Sequence, residues 1–118
     1  MMMDNGTVTL ESVDQAVVTI ELVGDITSAA EGALLQAYQQ ASDQGAKLLI
    51  LDFSRLEYMN SSGIGLLVTL LVRANRNGQK MAAIGLDQHY QQIFHMTRLN
   101  EAIPIYASMD EVLTALDR

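Results

Sequence analysis

The run Lys47 to Phe53, KLLILDF, constrains the fold more than any other stretch of this chain. Its apolar residues are continuous rather than alternating. That pattern suits a strand covered on both faces, as in a parallel sheet. The sequence around it supplies the helices that such a sheet needs. Upstream, TVTLES (Thr7 to Ser12) alternates apolar and polar residues, and AVVTIEL (Ala16 to Leu22) is rich in β-branched ones. With Asp14 and Gln15 as the turn, they read as a hairpin at one side of the sheet. Ser28 and Glu31 have capping-box spacing. Leu34, Tyr38 and Ala41 then share one helical face, with Leu35 beside them, and Gly45 is a suitable stop.

Downstream, a second helix is expected from about Ser62 to Asn77, stopped by Gly78. Arg73 and Arg76 lie in its last turns, where they favour the dipole. KMAAIG (Lys80 to Gly85) reads as another buried strand. Asp87 is a candidate cap for a helix through QHYQQIFHMT. IPIYA (Ile103 to Ala107) reads as a short strand whose proline suggests an edge. Ser108 and Glu111 repeat the capping-box spacing and open a last helix, MDEVLTAL. Such alternation of strands and helices implies an α/β fold with a mainly parallel sheet. Right-handed crossovers would place the successive helices.

At 118 residues the chain suits one domain, spanning 1–118. It has no cysteine, which excludes disulfides and thiolate chemistry. Its net charge is −7 at pH 7 and its seven basic residues are scattered. That argues against nucleic acid or an anionic membrane surface as partner. The start, MMMDNGTVT, lacks the basic and apolar regions of a signal peptide. The longest apolar stretch, Gly63 to Val72, falls far short of the ~20 residues of a membrane span. A cytoplasmic protein without membrane insertion is expected.

Catalytic constellations are missing. His89 and His95 are six positions apart, so their side chains need not converge, and no H-E-x-x-H spacing exists. No glycine stands two before Ser61 or Ser62, so the nucleophile elbow fails. Gly63 and Gly65 begin a G-x-G, but Val68 occupies the third glycine position of the dinucleotide fingerprint. The chain is therefore read as a non-enzyme, with no metal site and no cofactor of its own.

NSSGIG (Asn60 to Gly65) remains. Asn60, Ser61 and Ser62 are all residue types that cap helices, and Gly63 and Gly65 would let the first turn pack closely on the strand. Yet a cap needs one such residue, and three stand in a row. A hydroxyl at a helix N-terminus is also a favourable place for phosphate, because free N–H groups and the dipole stabilise negative charge there.

LDFSRLEYMNSSGIGLLV closely resembles the signature of the STAS domain, in particular of the bacterial anti-anti-sigma factors, or anti-sigma factor antagonists. The family pattern is an apolar strand, a D-x-S/D-x-x-x-x-M/I-D-S-S/T-G turn and an apolar helix. VGDITSAA and IFHMTRLNEAIPIYASMDEVLTAL resemble its upstream and C-terminal parts, so the resemblance covers almost the whole chain. It implies a STAS fold: a small mixed, mainly parallel sheet of about five strands, with about four helices mainly on one face.

The resemblance also implies partner switching. The unphosphorylated antagonist binds an anti-sigma factor that is a GHKL-type serine kinase, and so frees a sigma factor. Phosphorylation releases it, and a PP2C-type phosphatase reverses the modification. ATP and Mg²⁺ belong to the kinase. By position the phosphoacceptor is Ser61, with Ser62 second to it and the better candidate for the cap. Asp25 matches the upstream family aspartate, whose loop lies near the acceptor; it reads equally as a turn or cap residue. Met59, Asn60 and Ile64 join these residues in the implied partner-contact region, and Leu67 is a further apolar candidate. Asp52 is read as fixing its turn by local hydrogen bonds. The chain departs from the pattern at Asn60, where the family usually has aspartate, and at Arg98, where it often has glycine. The alternative is a non-switching STAS scaffold or an accessory subunit of a signalling or transport complex, with both serines structural. A ligand-sensing module is a third class, supported by fold analogy alone.

Overall fold

The computed structural model describes residues 7–14 and 16–116, with side chains from 16 to 115. β1 (Thr7–Asp14) and β2 (Val17–Ile26) form the expected antiparallel hairpin, with Val8 opposite Leu22 and Leu10 opposite Ile20. Gln15 of its turn lies outside the described residues. Then follow α1 (Glu31–Asp43), β3 (Leu48–Asp52), β4 (Leu56–Met59), α2 (Ser61–Arg76), β5 (Lys80–Ile84), α3 (Gln88–Met96), α4 (Leu99–Ala102), β6 (Ile105–Tyr106) and α5 (Met109–Leu116). The sheet order is β1-β2-β3-β5-β6, and every neighbour after the hairpin is parallel. β4 pairs with the last part of β2, beyond the reach of β3.

The apolar run at β3 is covered on both faces, as its lack of alternation requires. Leu49 and Leu51 join Val18, Ile20, Met81 and Ala83 in the main core, under Leu34 and Tyr38 of α1, Leu67 and Leu70 of α2, Phe94 of α3 and Leu99 of α4. Leu48 and Ile50 look the other way, with Ala82 and Ile84, and meet Val112 of α5. Four helices therefore pack on one face and α5 on the other. Burying each such leucine or isoleucine contributes roughly 1.5–3 kcal/mol relative to exposure.

The mixed, mainly parallel sheet matches the expectation, with β6 as the proline-preceded edge. The differences are local. β4 lies inside the motif read as a turn, and α4 lies between the QHYQQIFHMT helix and the IPIYA strand, where no element is expected. The capping box at Ser28 and Glu31 does not form. β2 runs on to Ile26, so Thr27 takes the extended conformation of a cap and its hydroxyl accepts from Ala29 N–H at 3.3 Å. Ser28 then enters a 3₁₀ turn that precedes α1. Arg98 sits in the left-handed region at φ 64°, at the start of α4. A side chain there costs roughly 1–2 kcal/mol, which is the physical content of a glycine preference at this position.

Candidate functional site

The site is built where β4 ends and α2 begins. β3 leaves the sheet at Asp52, whose Oδ1 accepts from Ser54 N–H at 3.0 Å and from the Ser54 hydroxyl. Asp52 thus holds the turn by local hydrogen bonds, as expected. Gly85 is packed against that turn: a Cβ there would lie 2.6 Å from Ser54 N. The chain returns as β4, with Tyr58 opposite Asp25 and Met59 opposite Ile26.

Asn60 ends the strand. Its backbone is extended, at φ −96° and ψ −174°, and its Oδ1 accepts from Gly63 N–H at 3.0 Å. Its carbonyl accepts from Ile64 N–H at 3.0 Å. Asn60 is therefore the cap of α2. The expectation that Ser62 caps is corrected: the helix starts at Ser61, so Ser62 already lies inside the first turn. Ser61 and Ser62 are both exposed, and neither hydroxyl has a hydrogen-bond partner among the described residues.

Gly63 is where α2 touches the sheet. A Cβ there would meet the Ile26 carbonyl and lie 2.7 Å from Met59 Cγ. Only a bare backbone permits this close approach. The same expectation for Gly65 is corrected: it is exposed, and a Cβ would meet nothing within 4 Å. α2 carries no acidic residue, and its N-terminal dipole end lies at Ser61 and Ser62.

The structure thus gathers Asp25, Met59, Asn60, Ser61 and Ser62 at one end of the sheet. Asp25 and Asn60 are partly buried. Met59 is buried at 4 % exposure and Leu67 fully, so these two support the site from beneath instead of presenting surface. Ile64 is partly buried against the core. His89 and His95 are exposed on α3, and no group of three metal-ligating side chains forms among the described residues. Nor is any described helix long and apolar enough to cross a membrane.

One residue escaped the sequence reading. Tyr90, buried in the first turn of α3, accepts from Met59 N–H at 2.8 Å through its hydroxyl. No motif spacing announces a tyrosine that reaches 31 positions back along the chain.

A family model described as "Mlab, STAS domain" matches residues 9–110. The chain belongs to the STAS domain family. Similar solved structures include the following three. The anti-sigma factor antagonist SpoIIAA in its unphosphorylated form is 23% identical, with a TM-score of 0.72 over 95% of this chain and 96% of that one. The Bacillus cell fate determinant SpoIIAA in the phosphorylated form is 22% identical, with a TM-score of 0.73 over 93% and 99%. A sulfate transporter family protein from Wolinella succinogenes is 16% identical, with a TM-score of 0.75 over 89% and 88%. At these identities the likeness shows the fold alone.

Proposed function

We propose that this STAS domain is an anti-sigma factor antagonist switched by phosphorylation of Ser61. The observation that carries the reading is the division of labour at the start of α2. Asn60 performs the capping, so the Ser61 hydroxyl is exposed and uncommitted. In the proposed step a GHKL-type anti-sigma kinase supplies Mg·ATP. Ser61 Oγ attacks the γ-phosphorus, the bond from that phosphorus to the β,γ-bridging oxygen breaks with its electron pair staying on ADP, the hydroxyl proton passes to a base of the kinase or to water, and ADP leaves. The product adds about −1.5 to −2 charge units at the positive end of a helix dipole.

That position leaves the fold intact, because the added charge is stabilised locally and lies outside the core. Its effect is on a partner, which must desolvate the phosphate or repel it. Unphosphorylated protein would bind the kinase in the cytoplasm and free a sigma factor; a PP2C-type phosphatase would restore it. Asn60 is uncharged, so a kinase that requires a carboxylate beside the acceptor would bind this chain less well. The existence of SpoIIAA structures in both phosphorylation states supports the reading.

A second reading has its own support. The Wolinella sulfate transporter family protein points towards transport, where the domain would serve as a non-switching accessory subunit. The deciding experiment mixes the purified chain with the GHKL-type kinase encoded nearest to it and Mg·ATP, then maps phosphate by peptide mass spectrometry. One phosphate on Ser61, lost in Ser61→Ala, with weakened kinase binding by Ser61→Asp, upholds the switch. No phosphate, from a kinase active on its own substrate, favours the accessory role.

A further inference from the structure

β4 is a poor strand by itself. It has four residues and, among the described residues, pairs with β2 alone. Strands so short, with one free edge, open easily. Its last residue, however, is gripped twice. The Met59 side chain lies against Gly63, in the first turn of α2. The Met59 N–H is bound by the Tyr90 hydroxyl at 2.8 Å, from a different helix.

Tyr90 is itself fixed. Its own N–H donates to Asp87 Oδ1, the cap of α3, at 2.9 Å. Its ring is 6 % exposed and packs within the core, with the exposed His89 ring set edge-on at 4.8 Å. The cap of α3 is therefore tied through Tyr90 to Met59, and Met59 is bonded directly to Asn60, the cap of α2.

We infer that Tyr90 is a positioning residue for Ser61: its hydroxyl holds the end of β4 so that Asn60 caps α2 and the serine is presented on an ordered turn. The functional half of this inference rests on Ser61 being the acceptor; the structural half does not. A partner that grips a preformed turn does not bear the cost of ordering it. Losing the tie should therefore weaken recognition while leaving phosphoryl transfer at saturation unchanged.

The test uses Tyr90→Phe, which keeps the ring and removes the oxygen, together with Asn60→Ala and the double variant. Amide hydrogen exchange is measured along the whole chain, each rate referenced to the slowest amides of β3 and β5. Steady-state phosphorylation is measured with the nearest-encoded GHKL-type kinase and Mg·ATP. In Tyr90→Phe, exchange at Met59, Gly63 and Ile64 should quicken by about tenfold relative to the reference. KM for the STAS domain should rise several-fold at constant kcat. Because Tyr90 acts through the Asn60 cap, the double variant should be no worse than Asn60→Ala at Gly63 and in KM. Exchange that rises uniformly, or strictly additive effects in the double variant, would overturn the inference by reducing Tyr90 to a general core contact. If the kinase leaves the unsubstituted chain unphosphorylated, the Ser61 reading falls, and local exchange at the three amides alone upholds or overturns the role of Tyr90.

Discussion

Two helix starts in this protein use serine in opposite ways. At α5, Ser108 is the cap: its hydroxyl accepts from Glu111 N–H at 3.2 Å, and Glu111 reaches back to Ala107 N–H at 3.0 Å. At α2, Asn60 is the cap, and two serines follow whose hydroxyls have no hydrogen-bond partner among the described residues. The Ser108 hydroxyl is held in the cap bond from Glu111 N–H, whereas the Ser61 hydroxyl accepts no such bond among the described residues. A serine hydroxyl near a helix start is free of capping only when its neighbour has taken over the cap, and one position along the chain separates the two cases.

Substitutions can break or sharpen this contrast. The largest effect is expected at Gly63, where any side chain meets the Ile26 carbonyl and Met59. Gly63→Ala should cost about 1–3 kcal/mol, read from urea unfolding, and should displace the start of α2 that α5 lacks an equivalent for. Next come the two caps. Asn60→Ala and Ser108→Ala should each cost ~1 kcal/mol, with exchange quickened only in the first turn of the helix concerned. Equal losses would establish that asparagine at α2 does the work of serine at α5.

Gly65→Ala should raise stability, by roughly 0.5–1 kcal/mol, because an exposed helical glycine with open space around it only loses backbone entropy. A loss of stability there would mean that the helix start is more constrained than its geometry indicates. The smallest effects belong to Ser61→Ala and Ser62→Ala, each within about 0.5 kcal/mol of the parent by thermal unfolding. A loss at either serine as large as that at Ser108 would abolish the contrast, and with it the availability of that hydroxyl.

Much of this was legible in the sequence. The continuous apolar KLLILDF needs cover on both faces, and the alternation of strands and helices around it leaves few topologies. The stops at Gly45 and Gly78 fall where expected, with φ of 88° and 67°, because the left-handed conformation selects glycine locally. The Asp87 cap, too, depends on nothing beyond its own turn, and its oxygen accepts from Tyr90 N–H at 2.9 Å.

The misplaced features are those that local chemistry leaves degenerate. Asn60, Ser61 and Ser62 cap almost equally well as residue types. Their order of use is set by where β4 lets go of β2, and β4 itself exists only because Gly24–Ile26 extends beyond β3. The same extension moved the first cap from Ser28 to Thr27. The two glycines of NSSGIG are alike in the sequence, yet only Gly63 faces the Ile26 carbonyl.

The sequence by itself therefore determined the alternation of the main strands and helices around a mainly parallel sheet and the neighbourhood of the α2 start, since these follow from periodicity and turn chemistry, but not β4 or α4. Tertiary structure alone decided which residue caps α2, which glycine is required and that Tyr90 holds the turn. Those choices depend on contacts between residues distant along the chain, whose energies no local pattern encodes.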